Sequence, residues 1–575
     1  MSQQRTAGAF PGPDTPCPGP VRRILLYALC LAGLWLASSV PCRASHIPTE
    51  GSMAEQVGEI MRRYFHADPL PGSPANAEDQ ERLKTFYRRR DFQPAWIRGE
   101  GLAPEAVLLA DALHRAGEQG LDPETYRLAD ILQRLPSAEA EPLAELDLLL
   151  SSAFLTFSRD LLSGRKETKN ADPKWFLESD RIDHLAAMER ALPPHSLGKL
   201  LDGLTPEDPG YFRLQESLAR YRAIAGRGGW PSLPNGPLLK RGAAGPAVAL
   251  LRQRLAMTGD LAHGGDTDGE FDAELEKAVR HFQGRHGFKV DGIVGPVTRA
   301  ALNIPVEGRI DQILLNLERR RWMPRDLGRR YLLVNMAGFE LKAVEDGRAV
   351  LRMRVIVGRA ARSTPAFSES MTYMVFNPFW NIPTSIAVRD VLPKILQDPE
   401  FLARQKIRVF SDWSRHAEEL DPNAIDWTGL DANNFPFKLR QDPGPENPLG
   451  QIKFMLPNRF AVYLHDTPHR QLFDATERTF SSGCIRLEKP LDLAEYVLDG
   501  DPAWPREAIA TTLESGEHRA VSLPEPITVY LVYWTAWVDE DGTLQFRKDV
   551  YERDDLLQAA LQNANGPAGS NPAGP

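Results

Sequence analysis

Tyr463-Leu464-His465-Asp466-Thr467-Pro468, followed after Phe473 by Ser481-Ser482-Gly483-Cys484-Ile485-Arg486-Leu487, is the stretch on which the reading of this chain turns. A free thiol titrates near ~8.5, so it becomes a nucleophile at neutral pH only with a base beside it. His465 supplies that base. It ends an apolar strand nineteen residues before Cys484, far enough for a loop to bring the thiol back to the imidazole. One ring nitrogen must face the thiol while the other donates to an acceptor. The backbone carbonyl of Asp466 is the expected acceptor, with its carboxylate as the alternative. Gly483 lets the backbone approach a substrate carbonyl, and the N–H groups of Gly483 and Cys484 are expected to hold the oxyanion. Arg486 suits a substrate carboxylate, and Ser482 and Tyr463 are expected beside the substrate. Taken singly, Cys484 would read as a small buried hydrophobe and His465 as a satisfied core residue. Together they supply nucleophile, base and oxyanion donors.

The other cysteines sharpen this. Of four, Cys17, Cys30 and Cys42 lie in or before a segment in which Arg22 and Arg23 precede an apolar run from Ile24 to Ala37. That run falls short of the ~20 residues of a spanning helix, so residues 1–44 are expected to form a cleaved signal peptide or an N-terminal membrane anchor. Export leaves Cys484 alone. No second cysteine then exists to resolve a disulfide, which argues against thiol redox chemistry.

Working outward, 575 residues with 42% hydrophobic and 25% charged composition imply several globular domains. A net charge of -9 disfavours nucleic acid as a partner. Residues 52–230 carry helical periodicity, as in Leu143, Leu146, Leu150, Phe154, Phe157 and Leu161, and are expected to form a helical scaffold domain. After a Gly- and Pro-rich joint, residues 236–305 read as a three-helix module. His281 and His286 in that module have no evident partner carboxylates and are not expected to bind metal, and Pro468 argues against a shared helical face for His465 and His469. No metal or organic cofactor is expected. Residues 330–560 change to short β-rich runs, including Phe460 to Leu464, interrupted by an expected lid at about 385–445. The tail at 561–575 is expected to be disordered.

The motif from Tyr463 to Leu487, with Phe376 to Pro383 and Asn447 to Phe454, resembles the active-site signature of the L,D-transpeptidases with a YkuD-type catalytic domain. Val279 to Thr298 resembles a peptidoglycan-binding domain. The resemblance implies a multi-domain α+β protein of the large periplasmic subclass: helical scaffold, binding module and mainly β catalytic domain with a lid. It also implies peptidoglycan stem peptides and glycan as partners, a Cys484 thioester, 3→3 cross-links and acylation by carbapenems. An L,D-carboxypeptidase or a non-catalytic wall-binding scaffold are the alternatives. The commoner pattern has a second histidine where this chain has Ser482.

Overall fold

The computed structural model describes residues 52–66, 77–179, 183–262 and 269–564, so the expected export segment lies outside the described residues. The scaffold is helical and is organised by α1 (Ala140–Ser163). Its apolar positions bury Leu143, Leu146, Leu150, Phe154, Phe157 and Leu161 in one core. A carboxylate also sits inside. Asp147 accepts the N–H groups of Ala95 at 3.0 Å and Trp96 at 2.7 Å and the Tyr87 hydroxyl at 2.6 Å, which offsets the cost of burying it. α1 stops at Gly164, where φ is +70° and a Cβ would run into the Trp322 indole.

The expected scaffold end at residue 230 cuts through a shared core. α2 (Pro209–Gly226) packs Tyr211, Leu214 and Leu218 against the C-terminal part of the chain. Beyond it, α3 (Pro246–Met257), α4 (Ala273–Arg285) and α5 (Pro296–Leu302) form the three-helix module around Leu251, Leu275, Val279 and Phe282. One expectation there is corrected: His281 does have a carboxylate neighbour, Asp260 at 2.7 Å, because the turn after α3 folds back onto α4. Arg285 holds both oxygens of that carboxylate at 2.6 Å, making it an ion pair. His286 is buried, stacked 3.9 Å from Phe282. α6 (Val306–Arg321) then leads into the catalytic region.

That region contains β1 (Arg330–Asn335), β2 (Glu340–Glu345), β3 (Arg348–Gly358), β4 (Phe367–Phe376), β5 (Trp380–Ile382), β6 (Ile407–Phe410), β7 (Glu419–Leu420) and β8 (Lys438–Gln441). These are followed by β9 (Ile452–Met455), β10 (Leu464–His465), β11 (Thr479–Ser481), β12 (Ile485–Leu487), β13 (Arg519–Val532), β14 (Ala536–Val538) and β15 (Leu544–Phe546). The nine-stranded sheet runs β11–β3–β12–β10–β9–β4–β13–β1–β2, and β2 pairs back to β3. This closure leaves no edge on eight of the strands. One face buries Phe454, Leu464, Ile485 and Leu487, among others, in the main core. The β14–β15 hairpin closes over α2 and α6 through Ala536, Val538, Leu544 and Phe546.

Three expectations change. The insertion starts earlier than residue 385, because Trp380–Ile382 is already a strand, paired with Lys438–Gln441 in a second sheet β5–β8–β6–β7 that has its own core around Leu402, Val409 and Leu439. Phe460 to Val462 is a loop rather than a strand: the Asn458 side chain accepts the N–H groups of Phe460 and Val462, and Ala461 has φ +54°. Helix α7 (Arg553–Ala564) continues into the expected disordered tail, with residues 565–575 outside the described part.

Candidate functional site

Strand pairing builds the site. β10 and β12 run parallel with His465 beside Arg486, and β9 runs antiparallel to β10 with Lys453 beside His465. Paired residues share a face and alternate residues along a strand return to it. Lys453, Tyr463, His465, Cys484 and Arg486 therefore stand on the face opposite the core residues Phe454, Leu464 and Ile485. The Ile485 N–H donates to the Tyr463 carbonyl at 3.0 Å, which fixes Cys484 alongside Tyr463 and one step diagonal from His465.

The His465 Nδ1–H donates to the Asp466 carbonyl at 2.5 Å, the acceptor expected from the sequence. Nε2 is then the nitrogen left to act as base. The Asp466 carboxylate turns the other way, accepting the Gln451 N–H at 2.9 Å and pairing with Arg470 at 3.3 Å. Gly450, at φ +60°, makes this possible, since a Cβ there would collide with that carboxylate. His465 is 4% exposed. Burial first, then the charges of Arg486 and Lys453, hold its pKa down to about 3 against the Asp466 bond, so the resting imidazole is neutral. Burial pushes the Cys484 thiol up, opposed by Tyr463, Lys453 and Arg486. The resting pair is thus thiol and imidazole. The thiol lies 3.8 Å from the Ala461 carbonyl.

The loop around the thiol is tightly held. Gly483 has φ +123°, a conformation that favours glycine. Its N–H donates to Ser481 Oγ at 3.1 Å, and the same hydroxyl donates to the Cys484 carbonyl at 2.6 Å. This corrects the oxyanion expectation for Gly483: its N–H is already spent within the loop, whereas the Cys484 N–H has no hydrogen-bond acceptor among the described residues. The Ser482 hydroxyl is likewise engaged, by Arg362 at 2.8 Å, and Arg362 pairs with Asp390 of the lid. Tyr463 meets the thiol and the Trp380 indole of β5, and burial keeps its phenol protonated.

Sequence reasoning missed Lys453, whose ammonium stands 3.9 Å over the Tyr463 ring. It also missed the brace from the scaffold. Phe176 donates its N–H to the Ala366 carbonyl at 2.7 Å and packs its ring 4.6 Å from Phe460, next to the loop that faces the thiol. Thr364, two residues before Ala366, donates to the Gly483 carbonyl at 2.8 Å. The only sequence signal for this was the aromatic pair Trp175-Phe176.

With this geometry in place, three family models match the chain. Residues 329–504 match the L,D-transpeptidase catalytic domain, residues 244–302 the "Putative peptidoglycan binding domain", and residues 81–218 the scaffold domain. The protein therefore carries a YkuD L,D-transpeptidase catalytic domain joined to a peptidoglycan-binding domain. A Haemophilus influenzae protein named "Putative L,D-transpeptidase" is 35% identical over 258 residues, covering 45% of this chain and 51% of the relative, so the chain spans about half of that protein. The N-acetylmuramoyl-L-alanine amidase CwlL of Bacillus licheniformis is 39% identical over 71 residues, 12% of this chain and 20% of that protein. The solved L,D-transpeptidase from Stackebrandtia nassauensis is 14% identical, covering 52% of this chain and 96% of its own, with a TM-score of 0.19. At that score it bears no weight for the fold.

Proposed function

We propose that this protein is an exported L,D-transpeptidase that forms 3→3 cross-links between peptidoglycan stem peptides through a thioester on Cys484. The observation that carries the proposal is the His465 imidazole, with Nδ1 tied to the Asp466 carbonyl and Nε2 left on the face of the Cys484 thiol. Cys484 Sγ attacks the amide carbonyl carbon between the L-centre and the terminal D-residue of a donor stem peptide, and its proton passes to His465 Nε2. The Cys484 N–H faces the developing oxyanion. The carbon–nitrogen bond breaks, His465 returns the proton to the leaving amine, and the thioester remains. An acceptor amine from a second stem peptide then attacks the thioester carbonyl and gives a proton to His465; as the new amide forms, the carbon–sulfur bond breaks and His465 passes that proton to the departing Cys484 sulfur, restoring the thiol.

The reaction needs no metal or organic cofactor. Arg486 holds a donor carboxylate, while Tyr463 and Trp380 wall the thiol. Ser482 orders the nucleophile loop through Arg362. In this reading the three-helix module, which matches the putative peptidoglycan binding domain, attaches the enzyme to the wall, and the enzyme works outside the cytoplasm, in the periplasm. Among the described residues, no helix is long and apolar enough to cross a membrane. Carbapenems acylate the same thiol in this reading. Incubating the protein with a tetrapeptide donor and following dimers by mass spectrometry tests the proposal: cross-linked dimer is expected, and release of the terminal residue without any dimer would reassign the enzyme as a carboxypeptidase.

A further inference from the structure

The peptide groups on either side of the nucleophile are held from within the protein. The Gly483 N–H donates to Ser481 Oγ, that hydroxyl donates to the Cys484 carbonyl, and the Ile485 N–H donates to the Tyr463 carbonyl. The Gly483 carbonyl accepts the Thr364 hydroxyl at 2.8 Å. That last bond has a directional consequence. The Gly483 C=O and the Cys484 N–H belong to one planar trans peptide and point opposite ways. Whatever holds the carbonyl therefore aims the N–H, and the Cys484 N–H is the group left without an acceptor among the described residues.

The surroundings of Thr364 suit it to this task. It is fully buried, and its Oγ1 accepts the Gly358 N–H at 3.0 Å, which leaves its single proton to donate to Gly483. Gly358, at the end of β3, gives the room: a Cβ there would run into the Arg362 carbonyl and lie 3.1 Å from the Gly483 Cα. The Gly358 carbonyl accepts the Tyr551 hydroxyl at 2.6 Å, and the Thr364 carbonyl accepts Arg553 Nη2, at the start of α7, at 2.8 Å. Two residues further on, the Ala366 N–H donates to the scaffold carbonyl of Lys174 at 2.8 Å, beside the Phe176 bond described above. Thr364 is thus clamped from α7 on one side and from the scaffold on the other.

We propose that Thr364 is a positioning residue for acyl transfer: by holding the Gly483 carbonyl, it fixes the direction of the Cys484 N–H that receives the oxyanion. A donor aimed in advance needs no reorganisation as charge develops on the carbonyl oxygen. Thr364 acts through the Gly483–Cys484 peptide, and the clamp from α7 and the scaffold keeps that peptide from turning.

This inference rests on the thioester reading above, and two reactions of the same thiol separate the two. Acylation by a tetrapeptide donor develops an oxyanion, whereas alkylation by iodoacetamide displaces iodide at a saturated carbon and develops none. Both rates are followed by mass spectrometry on the peptide containing Cys484, in the full chain, for the wild type, Thr364→Val and Thr364→Ser. Thr364→Val keeps the shape and loses the hydroxyl. It is expected to slow acylation by roughly 10- to 100-fold, less than the ~10²–10³ lost when an oxyanion donor is removed outright, and to leave alkylation nearly unchanged. Thr364→Ser keeps the hydroxyl and is expected to acylate at close to the wild-type rate. If Thr364→Val does not fold, Thr364→Ala takes its place with the same expected split. Equal losses in both reactions, an unchanged acylation rate, or a Thr364→Ser variant as slow as Thr364→Val overturns the positioning role and leaves the thioester reading intact. A wild-type protein that iodoacetamide alkylates but that forms no adduct with the donor overturns the thioester reading, and this inference with it.

Discussion

Two sets of buried cations in this protein behave in opposite ways. On α6, Arg319, Arg320 and Arg321 follow one another, all nearly inaccessible, and each has an acid: Asp554, Asp208 and Glu318 respectively. Burial would raise the Glu318 carboxyl, but Arg321 and Arg165 overcome it and hold it below its usual value. Glu318 also accepts the Arg165 N–H, the Thr168 hydroxyl and the Trp322 indole N–H, so the cluster welds α6 to the scaffold. On the barrel face, Arg486 and Lys453 have no acid. The first set is complete without a ligand and the second is not, which separates structural from functional charge more reliably than burial does.

Removing the reacting group gives the largest effect. Cys484→Ala is expected to lower acyl transfer by roughly 10⁴-fold or more, read from dimer formation, with the unfolding midpoint nearly unchanged. Breaking the complete set should act on stability instead. Arg321→Leu leaves the buried Glu318 without its ion-pair partner, at a cost of about 3–5 kcal/mol in chemical denaturation. The incomplete set should respond in reverse: Arg486→Leu is expected to lose roughly 10- to 100-fold in adduct formation with little change in denaturation midpoint. A loss of stability matching that of Arg321→Leu would erase the contrast.

Smaller effects refine it. Gly483→Ala puts a side chain at φ +123° and is expected to cost about 1–3 kcal/mol, felt as slower acylation because the strain falls on the nucleophile loop. Burial of His465, with the flanking cations, also sets a pH dependence. His465 titrates at about 3 in the folded protein but near ~6.5 in an unfolded chain. Between those values the unfolded chain binds a proton that the folded protein does not. The stabilisation from the neutral imidazole is thus full above about pH 6.5 and is lost as pH falls toward 3. His465→Gln should flatten that acid-side fall in unfolding midpoint, measured between pH 7 and pH 4.

What could be read from the sequence follows from distance along the chain. His465 and its Asp466 acceptor are neighbours, so local geometry sufficed. Cys484 stands out because it is the one thiol outside the expected export segment. Lys453 did not stand out, because its meaning depends on facing His465 across β9 and β10, and β10 is only two residues long. No periodicity marks so short a strand. The same holds for the first strand of the lid at Trp380–Ile382, whose three residues are defined by pairing with a partner more than fifty positions later. The Gly483 N–H adjoins the nucleophile in sequence, which suggests an oxyanion role, but Ser481 captures it in a turn that forms only in the folded loop.

Intact-mass spectrometry with a tetrapeptide donor tests the central claim most directly. The predicted result is an adduct equal to the donor minus its terminal residue, carried on the peptide containing Cys484 and absent from Cys484→Ala. An adduct that survives Cys484→Ala, or a wild-type protein that processes donor with no thioester on Cys484, would contradict it.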